Sequence, residues 1–588
     1  MRWNLDDILP RDHFDEFIAG LAAELPRLAE HCLSPDMSPE DFRQYLALTE
    51  DIAARVSRVM SIPELMLAAD TSSAEAARLK VRAESIQLQA DQTLRRGMHW
   101  VLGRQMEGRR TLDDESLQRL LSAVPVMAES IRAERQGNRH LLSEGEEHVF
   151  SLKDVSGRAP LVRLREMLEV QQSYIFKPKG SRGKTLRTQA EVLSLLGSSN
   201  APQREAAYRA MLKPYEDQLP LYFTIYQAVA RDWDQESELR GHASPLSSRN
   251  AQNWLHDATV NAMLESCQSH RYLFQRYFEW KAYALGMNQL SRFDVYAPFG
   301  ADLGENVQFE NALSFVLDIF RGFSPSFAEY ASRVVEKRHI DPFPRRKKSP
   351  DPFCAYVAPD VVPYVLLNYV PDALAGEETS VLAHELGHAA HFQFASHLPY
   401  SLVDNSIPLA ETASTLSELL LRGRLLEDAK SEKVRLRLLA ADIEDAYGVI
   451  MRQASFSLFE SAAHDAFRSG TTPDELGAIY LDTQRELFGP SVALDDSLRN
   501  EWASVSHFVE QPFYVYSYAF GNLLSRALYA RYRENPAFSS SIERVLAAGS
   551  SRDPEALLKE QGVDITSRTF WDSGFHQLEE QMDLLERS

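Results

Sequence analysis

The sequence predicts a mainly α protein with little sheet. Three observations carry this. Apolar residues recur at three- and four-residue steps over long stretches. Proline and glycine punctuation is sparse in the N-terminal third. Strand-like runs are confined to two places, around residues 173–186 and 353–369. With 588 residues, 44% hydrophobic and 25% charged, the chain has material for roughly two to four domains with ample core, and its composition is not that of a disordered protein.

Taken in order, Phe14, Phe17, Ile18, Leu21, Leu25 and Leu28 form one apolar face. Similar patterns run through residues 40–96 and 117–132, so the first third reads as packed antiparallel helices. SYIFKPKGSRGKTL, residues 173–186, places aromatic and β-branched residues around a basic, glycine-containing turn and predicts a hairpin. Its GKT is not a phosphate loop, because that motif needs glycine at the position held by Pro178. Asn200, Pro202 and Gln203 signal a helix start. The expected division is therefore an N-terminal helical domain, 1–195, and a second domain, 196–588. Residues 257–286 predict a strong helix with Val260, Met263, Leu264, Cys267, Phe274 and Phe278 inward. DPFPRRKKSPDPF, 341–353, reads as an exposed loop whose RRKK run is a solvated turn. FCAYVAP and PYVLLNY then read as two short strands, with Cys354 in the first.

Several function classes are disfavoured. A net charge of -21 argues against a nucleic-acid partner and favours solubility. The three cysteines, Cys32, Cys267 and Cys354, are far apart and odd in number, which suits a reducing compartment rather than a disulfide framework. MRWNLDDILP has no apolar signal-peptide core, and VVPYVLLNYV is too short to span a membrane. The expectation is a soluble, cytoplasmic protein.

Chemistry concentrates in VLAHELGHAAHFQFA, residues 381–395. Thr379 or Ser380 offers a helix cap and Pro399 a stop, so a helix is expected from 381 to about 397. On a helix His384 and His388 face the same way, one turn apart, and can share a metal. Glu385 lies beside that axis, where it can take a proton from an activated water without being a ligand. The competing reading is an ordinary helix with two partly buried histidines. A catalytic zinc needs a third protein ligand. The HExxHxxGxxH pattern is absent, since His391 and Phe394 occupy its glycine and third histidine positions. IPLAETASTLSELLL, 407–421, predicts a following helix whose Glu411 interrupts an apolar or small-residue face. Glu411 is the candidate third ligand, against an exposed first-turn glutamate. Glu418, two turns on, can accept from a ligand histidine or be a surface glutamate. His391 can support the site, touch substrate, or be a satisfied core histidine. Gly387 costs about 1 kcal/mol in a helix interior, which close approach of the Glu411 helix would explain.

HELGHAAH followed by LAETAST resembles the thimet-oligopeptidase-like zinc metallopeptidases, most closely the oligoendopeptidase F branch. RWNLDDILP, FDVYAP, FCAYVAPDVVPYVLLNY and HFVEQPFYVYSYAFG extend the resemblance over nearly the whole chain. It implies a two-lobed helical fold with a deep channel and a small sheet near the zinc helix. It also implies hydrolysis of internal bonds in short unfolded peptides. On this resemblance His384, His388 and Glu411 hold one zinc per chain and Glu385 is the general base. Cys354, Ala355 and Tyr356 pair with substrate backbone. His507 with Tyr514 or Tyr518 steadies the oxyanion, and Tyr516 contacts substrate. Without the resemblance, these tyrosines read as an aromatic core stripe. A helix after Pro512 would put Tyr514 and Tyr518 on one face. The chain departs from the thimet-type pattern in having FVEQPF where those enzymes are glycine-rich.

Two other functions fit the residues less well. A carboxypeptidase or peptidyl-dipeptidase of the same architecture would need a cation near the metal for the terminal carboxylate. A catalytically silent peptide-binding protein would have no use for Glu385. Cobalt or manganese could occupy the same ligands as zinc.

Overall fold

A computed structural model describes residues 3–31, 33–104, 110–300, 306–373, 376–404 and 407–588. Cys32 lies outside the described residues. Of the described residues 71% are helical, and the sheets they form have two or three strands each. The α class read from periodicity is therefore the observed one.

Two compact units form, each from three separate stretches of chain. The first holds Met1–Arg139, Asp302–Asp428 and Leu528–Asp564, and the second holds His140–Ala301, Ala429–Ala527 and Ile565–Ser588. The 195/196 division expected from the sequence falls inside the second unit.

In the first unit, helix Phe14–Ala29 buries Phe14, Leu21, Leu25 and Leu28, the stripe visible in the sequence. Ser38 caps helix Pro39–Ala69 by accepting the Asp41 N–H at 3.1 Å. Ser73 caps helix Ala74–Val101 in the same way. These helices share one apolar core with Val357, Ala358, Val361 and Tyr364, so the N-terminal helices support the β-region. A three-stranded sheet places Tyr364–Leu366 between Ile340–Asp341, which runs parallel to it, and Phe353–Ala355, antiparallel. The N-terminal segment is pinned to this sheet: Trp3 Nε1 donates to the Val365 carbonyl at 3.0 Å, and Tyr364 Oη donates to the Asn4 carbonyl at 2.7 Å.

In the RRKK run Arg346 and Lys347 are exposed, as the sequence reading expects, but Arg345 and Lys348 are not. Lys348 is 7% exposed, and its ammonium donates to the carbonyls of Asp341 and Phe343, each at 2.9 Å, and to that of Leu367. Arg345 forms a two-pronged pair with Asp341. The buried Asp341 carboxylate needs a counter-charge there, and Lys348 and Arg345 supply it while tying the loop to the sheet.

In the second unit the predicted hairpin forms, with Tyr174–Phe176 antiparallel to Lys184–Leu186. Asn200 caps helix Ala201–Asp217 through the Gln203 N–H. Helix Asp257–Ala284 buries Val260, Met263, Leu264, Cys267, Phe274 and Phe278. A second core there joins Tyr226, Phe456, Phe459, Trp502, Phe508 and Val515.

Candidate active site

The HELGH helix spans Glu377–Ala395. It begins at Gly376, so Thr379 and Ser380 lie in its first turn and neither is the cap; Glu377 and Glu378 supply the acidic first turn instead. The second expected helix is broken. Ile407–Ala410 is one turn, Glu411 adopts φ -87° and ψ 2° at the junction, and Thr412–Glu427 follows. Glu411 is therefore a half-exposed junction residue, not a carboxylate on the buried face of a continuous helix. The break turns its side chain toward the HELGH helix.

Gly387 explains how the two helices meet. A Cβ there would lie 2.5 Å from Ser417 Oγ and 2.8 Å from both Ala413 O and Ser414 Cα. Only glycine permits this approach.

The approach closes a triangle. His384 Nε2 and His388 Nε2 are 3.2 Å apart, and each is 3.3 Å from Glu411 Oε2. Ligands on tetrahedral zinc with bonds of ~2.0–2.1 Å are separated by roughly 3.3–3.4 Å. Two imidazoles and a carboxylate at this spacing fit one divalent metal with a position left for water. Around the triangle, Glu418 Oε1 lies 2.6 Å from His384 Nδ1. Ser414 Oγ donates to Glu411 Oε2 at 2.8 Å. Ser414 was not singled out by sequence reasoning; its signal was the i,i+3 spacing from Glu411.

The electrostatics follow from this packing. Burial disfavours a charged His384, but the carboxylates of Glu411 and Glu418 outweigh it and push its pKa up to about 10. Burial alone would raise Glu411, yet the two imidazoles hold it well below the usual carboxylate range. Glu385 is 6% exposed. Its pKa is raised by burial, against the opposing pull of the two histidines. It is not one of the three converging donors.

These groups line a cavity of about 330 Å3 together with Phe353, Cys354, His391, Phe392, Asp404 and Ala410. Burial and the neighbouring Glu385 carboxylate push the Cys354 thiol well up, so it stays a neutral thiol. Among the described residues Phe353–Ala355 is an outer strand that pairs on one side only. Tyr356 turns away from this edge: its ring stacks between Phe392 and Tyr400 at 5.3 and 5.8 Å. His391 is buried, with its pKa lowered to about 3 by burial, and its imidazole bonds to the Ala410 carbonyl, next to Glu411.

The remaining candidates belong to the second unit. His507 Nε2 lies 3.2 Å from Tyr518 Oη. The Tyr514 and Tyr518 rings meet edge to face at 5.3 Å. Burial lowers the His507 pKa. Tyr514 is not on a helix with Tyr518, because helix Tyr516–Glu534 starts after it and Phe513 has φ +59°. Tyr516 is corrected outright. It is 0% exposed, and its hydroxyl accepts from Asn253 Nδ2 at 2.8 Å, so it is a core residue and no substrate contact.

Comparison with known proteins gives one consistent answer. The profile of peptidase family M3 matches residues 194–577. Oligopeptidase PepF of Bacillus subtilis is 26% identical over 598 residues, covering 99% of this chain and 86% of that protein. Group B oligopeptidase PepB of Streptococcus agalactiae is 28% identical over 453 residues, 76% of this chain and 74% of that one. A crystal structure from Chlamydophila abortus aligns over 100% of this chain and 98% of its own, with TM-score 0.89 at 19% identity. That of oligoendopeptidase-F from Enterococcus faecium aligns over 98% of each chain, with TM-score 0.69 at 20% identity.

Proposed function

This chain belongs to peptidase family M3 and is a metallopeptidase; on that premise we propose that it is a zinc endopeptidase cutting internal bonds of short, unfolded peptides. The observation that carries the reading is the triangle of His384 Nε2, His388 Nε2 and Glu411 Oε2 at 3.2–3.3 Å, with the buried Glu385 beside it. The names oligopeptidase and oligoendopeptidase, carried by the relatives, support the substrate class.

A divalent metal held by these three residues supplies Lewis acidity for a carbonyl oxygen and lowers the pKa of water toward neutrality. Glu385, its own pKa raised by burial, accepts the proton of the attacking water and delivers it to the leaving amine. Glu418 holds the Nδ1 proton of His384, leaving Nε2 as the ligand atom. His391 anchors the Ala410 carbonyl and with it the chain entering Glu411. The open side of Phe353–Ala355, at the wall of the same cavity, suits an extended peptide added as a strand. On the resemblance alone, His507 with Tyr514 or Tyr518 would donate to the tetrahedral oxyanion. Among the described residues no helix is long and apolar enough to cross a membrane. The free Cys267 and Cys354 suit a reducing cytoplasm.

The test is digestion of peptides of graded length, blocked at both termini, before and after chelation. Internal cleavage that chelation abolishes and zinc restores is the expected result. Cleavage only of peptides with a free C-terminus would instead favour a carboxypeptidase. No cleavage by zinc-loaded protein would leave a silent binding protein.

A further inference from the structure

In the second unit, the segment before Tyr514 contains a turn that its sequence does not advertise. Tyr514 N–H bonds to the Gln511 carbonyl at 3.1 Å, closing a four-residue turn over Gln511–Pro512–Phe513–Tyr514. Proline fixes φ near -65° at the second position, and Phe513, at the third, has φ +59°. That is the type II pattern, whose third position ordinarily takes glycine. Phe513 is 1% exposed, a bulky residue held in the left-handed region where its own Cβ is disfavoured.

Types I and II differ by rotation of the peptide between the two central residues, here Pro512–Phe513. Rotating it would return Phe513 to negative φ and relieve the strain. Both ends of that peptide are held. Phe513 N–H donates to Glu460 Oε1 at 2.8 Å, and the Pro512 carbonyl accepts from Arg249 Nε at 2.9 Å. Glu460 is 0% exposed and Arg249 9%. Burial pushes the Glu460 carboxyl well up, so it serves as a neutral acceptor. Arg249 is braced in turn by Gln252 Oε1 at 2.8 Å and by the Trp233 ring, 5.1 Å away. Among the described residues Glu460 Oε2 has no hydrogen-bond partner, and a buried carboxyl is a costly way to fill space.

We propose that Glu460 and Arg249 form a latch on the Pro512–Phe513 peptide that keeps this turn in its type II form and so sets Tyr514 and Tyr518 against His507. Both are positioning residues. The inference rests on the reading of His507 and the two tyrosines as substrate-side donors. It gives the absence of glycine from FVEQPF a physical meaning: the latch replaces the conformational freedom of glycine with one held conformation.

The test is steady-state kinetics on a blocked, internally quenched peptide with the metal-loaded enzyme. Glu460→Leu should lower kcat 10- to 100-fold with KM within threefold and metal content unchanged. Arg249→Met, which releases the other end of the peptide, should do the same and serves if Glu460→Leu does not fold. Glu460→Gln, whose amide oxygen still accepts from Phe513, should stay within threefold of wild type. In a Tyr514→Phe/Tyr518→Phe background, Glu460→Leu should cost less than a further threefold, because its effect passes through those hydroxyls. Wild-type kcat in both latch variants overturns the proposal. So does an equal loss in Glu460→Gln, or a full additional loss in the tyrosine background. If the tyrosine pair variant itself keeps wild-type kcat, the donor reading fails and the latch with it. If that variant loses kcat while the latch variants do not, the latch alone fails.

Discussion

Glu418 Oε1 lies 2.6 Å from His384 Nδ1, and this contact decides which nitrogen His384 presents to Glu411 and His388. A carboxylate on one ring nitrogen fixes the tautomer and raises the basicity of the other. Arg422, 3.5 Å away, steadies the opposite oxygen of Glu418. Glu418→Ala should weaken metal affinity about 10- to 100-fold, the range for loss of such a partner. Competition with a chelator of known affinity measures this. Unchanged affinity would make Glu418 a bystander.

Gly387 makes a prediction of opposite sign to the usual rule. In an open helix, Gly→Ala stabilises by about 1 kcal/mol. Here the new methyl would meet Ala413 O and Ser414 Cα at 2.8 Å, and backbone atoms cannot move aside as a side-chain tip can. Overpacking of this kind costs about 1–3 kcal/mol. Gly387→Ala should therefore lower the melting temperature, and it should also weaken metal binding because the segment it displaces begins at Glu411. A higher melting temperature would sink this account.

Glu385 should separate chemistry from metal binding. It is absent from the triangle of donors, so Glu385→Gln should retain metal at wild-type stoichiometry. Losing the proton acceptor should reduce kcat about 10²- to 10⁴-fold. Metal analysis beside turnover of a blocked peptide reads both. Activity within tenfold of wild type would remove Glu385 from the proposed role.

How much of this was legible in the sequence depends on which interactions are local. His384 and His388 could be paired from helical periodicity alone, and the glycine between them already hinted at a close neighbour. Glu411 was reachable by asking for a third donor, but its junction geometry was not, since Ile407 to Leu421 carries an unbroken helical pattern. Tyr516 could not be told from Tyr514 and Tyr518 by spacing, because its burial depends on Asn253, 263 residues away in sequence. Lys348 looked solvated for the same reason: its partners are carbonyls delivered by the sheet. Phe513 was invisible, as the usual marker of a type II turn is glycine and none is present. The interleaving of the two units leaves no periodic trace at all.

His339 links the sheet of the first unit to pH. It is 1% exposed, stacks on Tyr364 at 3.9 Å, and bonds through Nδ1 to the Val362 carbonyl at 2.8 Å. Its Nε2 faces Asp7 Oδ2 at 3.3 Å, which favours protonation, and the charge of Lys337 opposes it. Burial dominates and lowers the pKa below the ordinary value of 6.5. The unfolded chain therefore takes up this proton at higher pH than the folded one. The stability associated with neutral His339 is complete above about pH 6.5 and erodes as the pH falls toward the lowered value, at up to ~1.4 kcal/mol per pH unit from one group. In His339→Gln, whose amide can still donate to Val362, the dependence of melting temperature on pH should be shallower as the pH falls below about 6.5. The first unit should show this most, because the strand following Val362 is the centre of the sheet that carries Phe353–Ala355. A slope equal to that of wild type would mean that His339 is not the linked group.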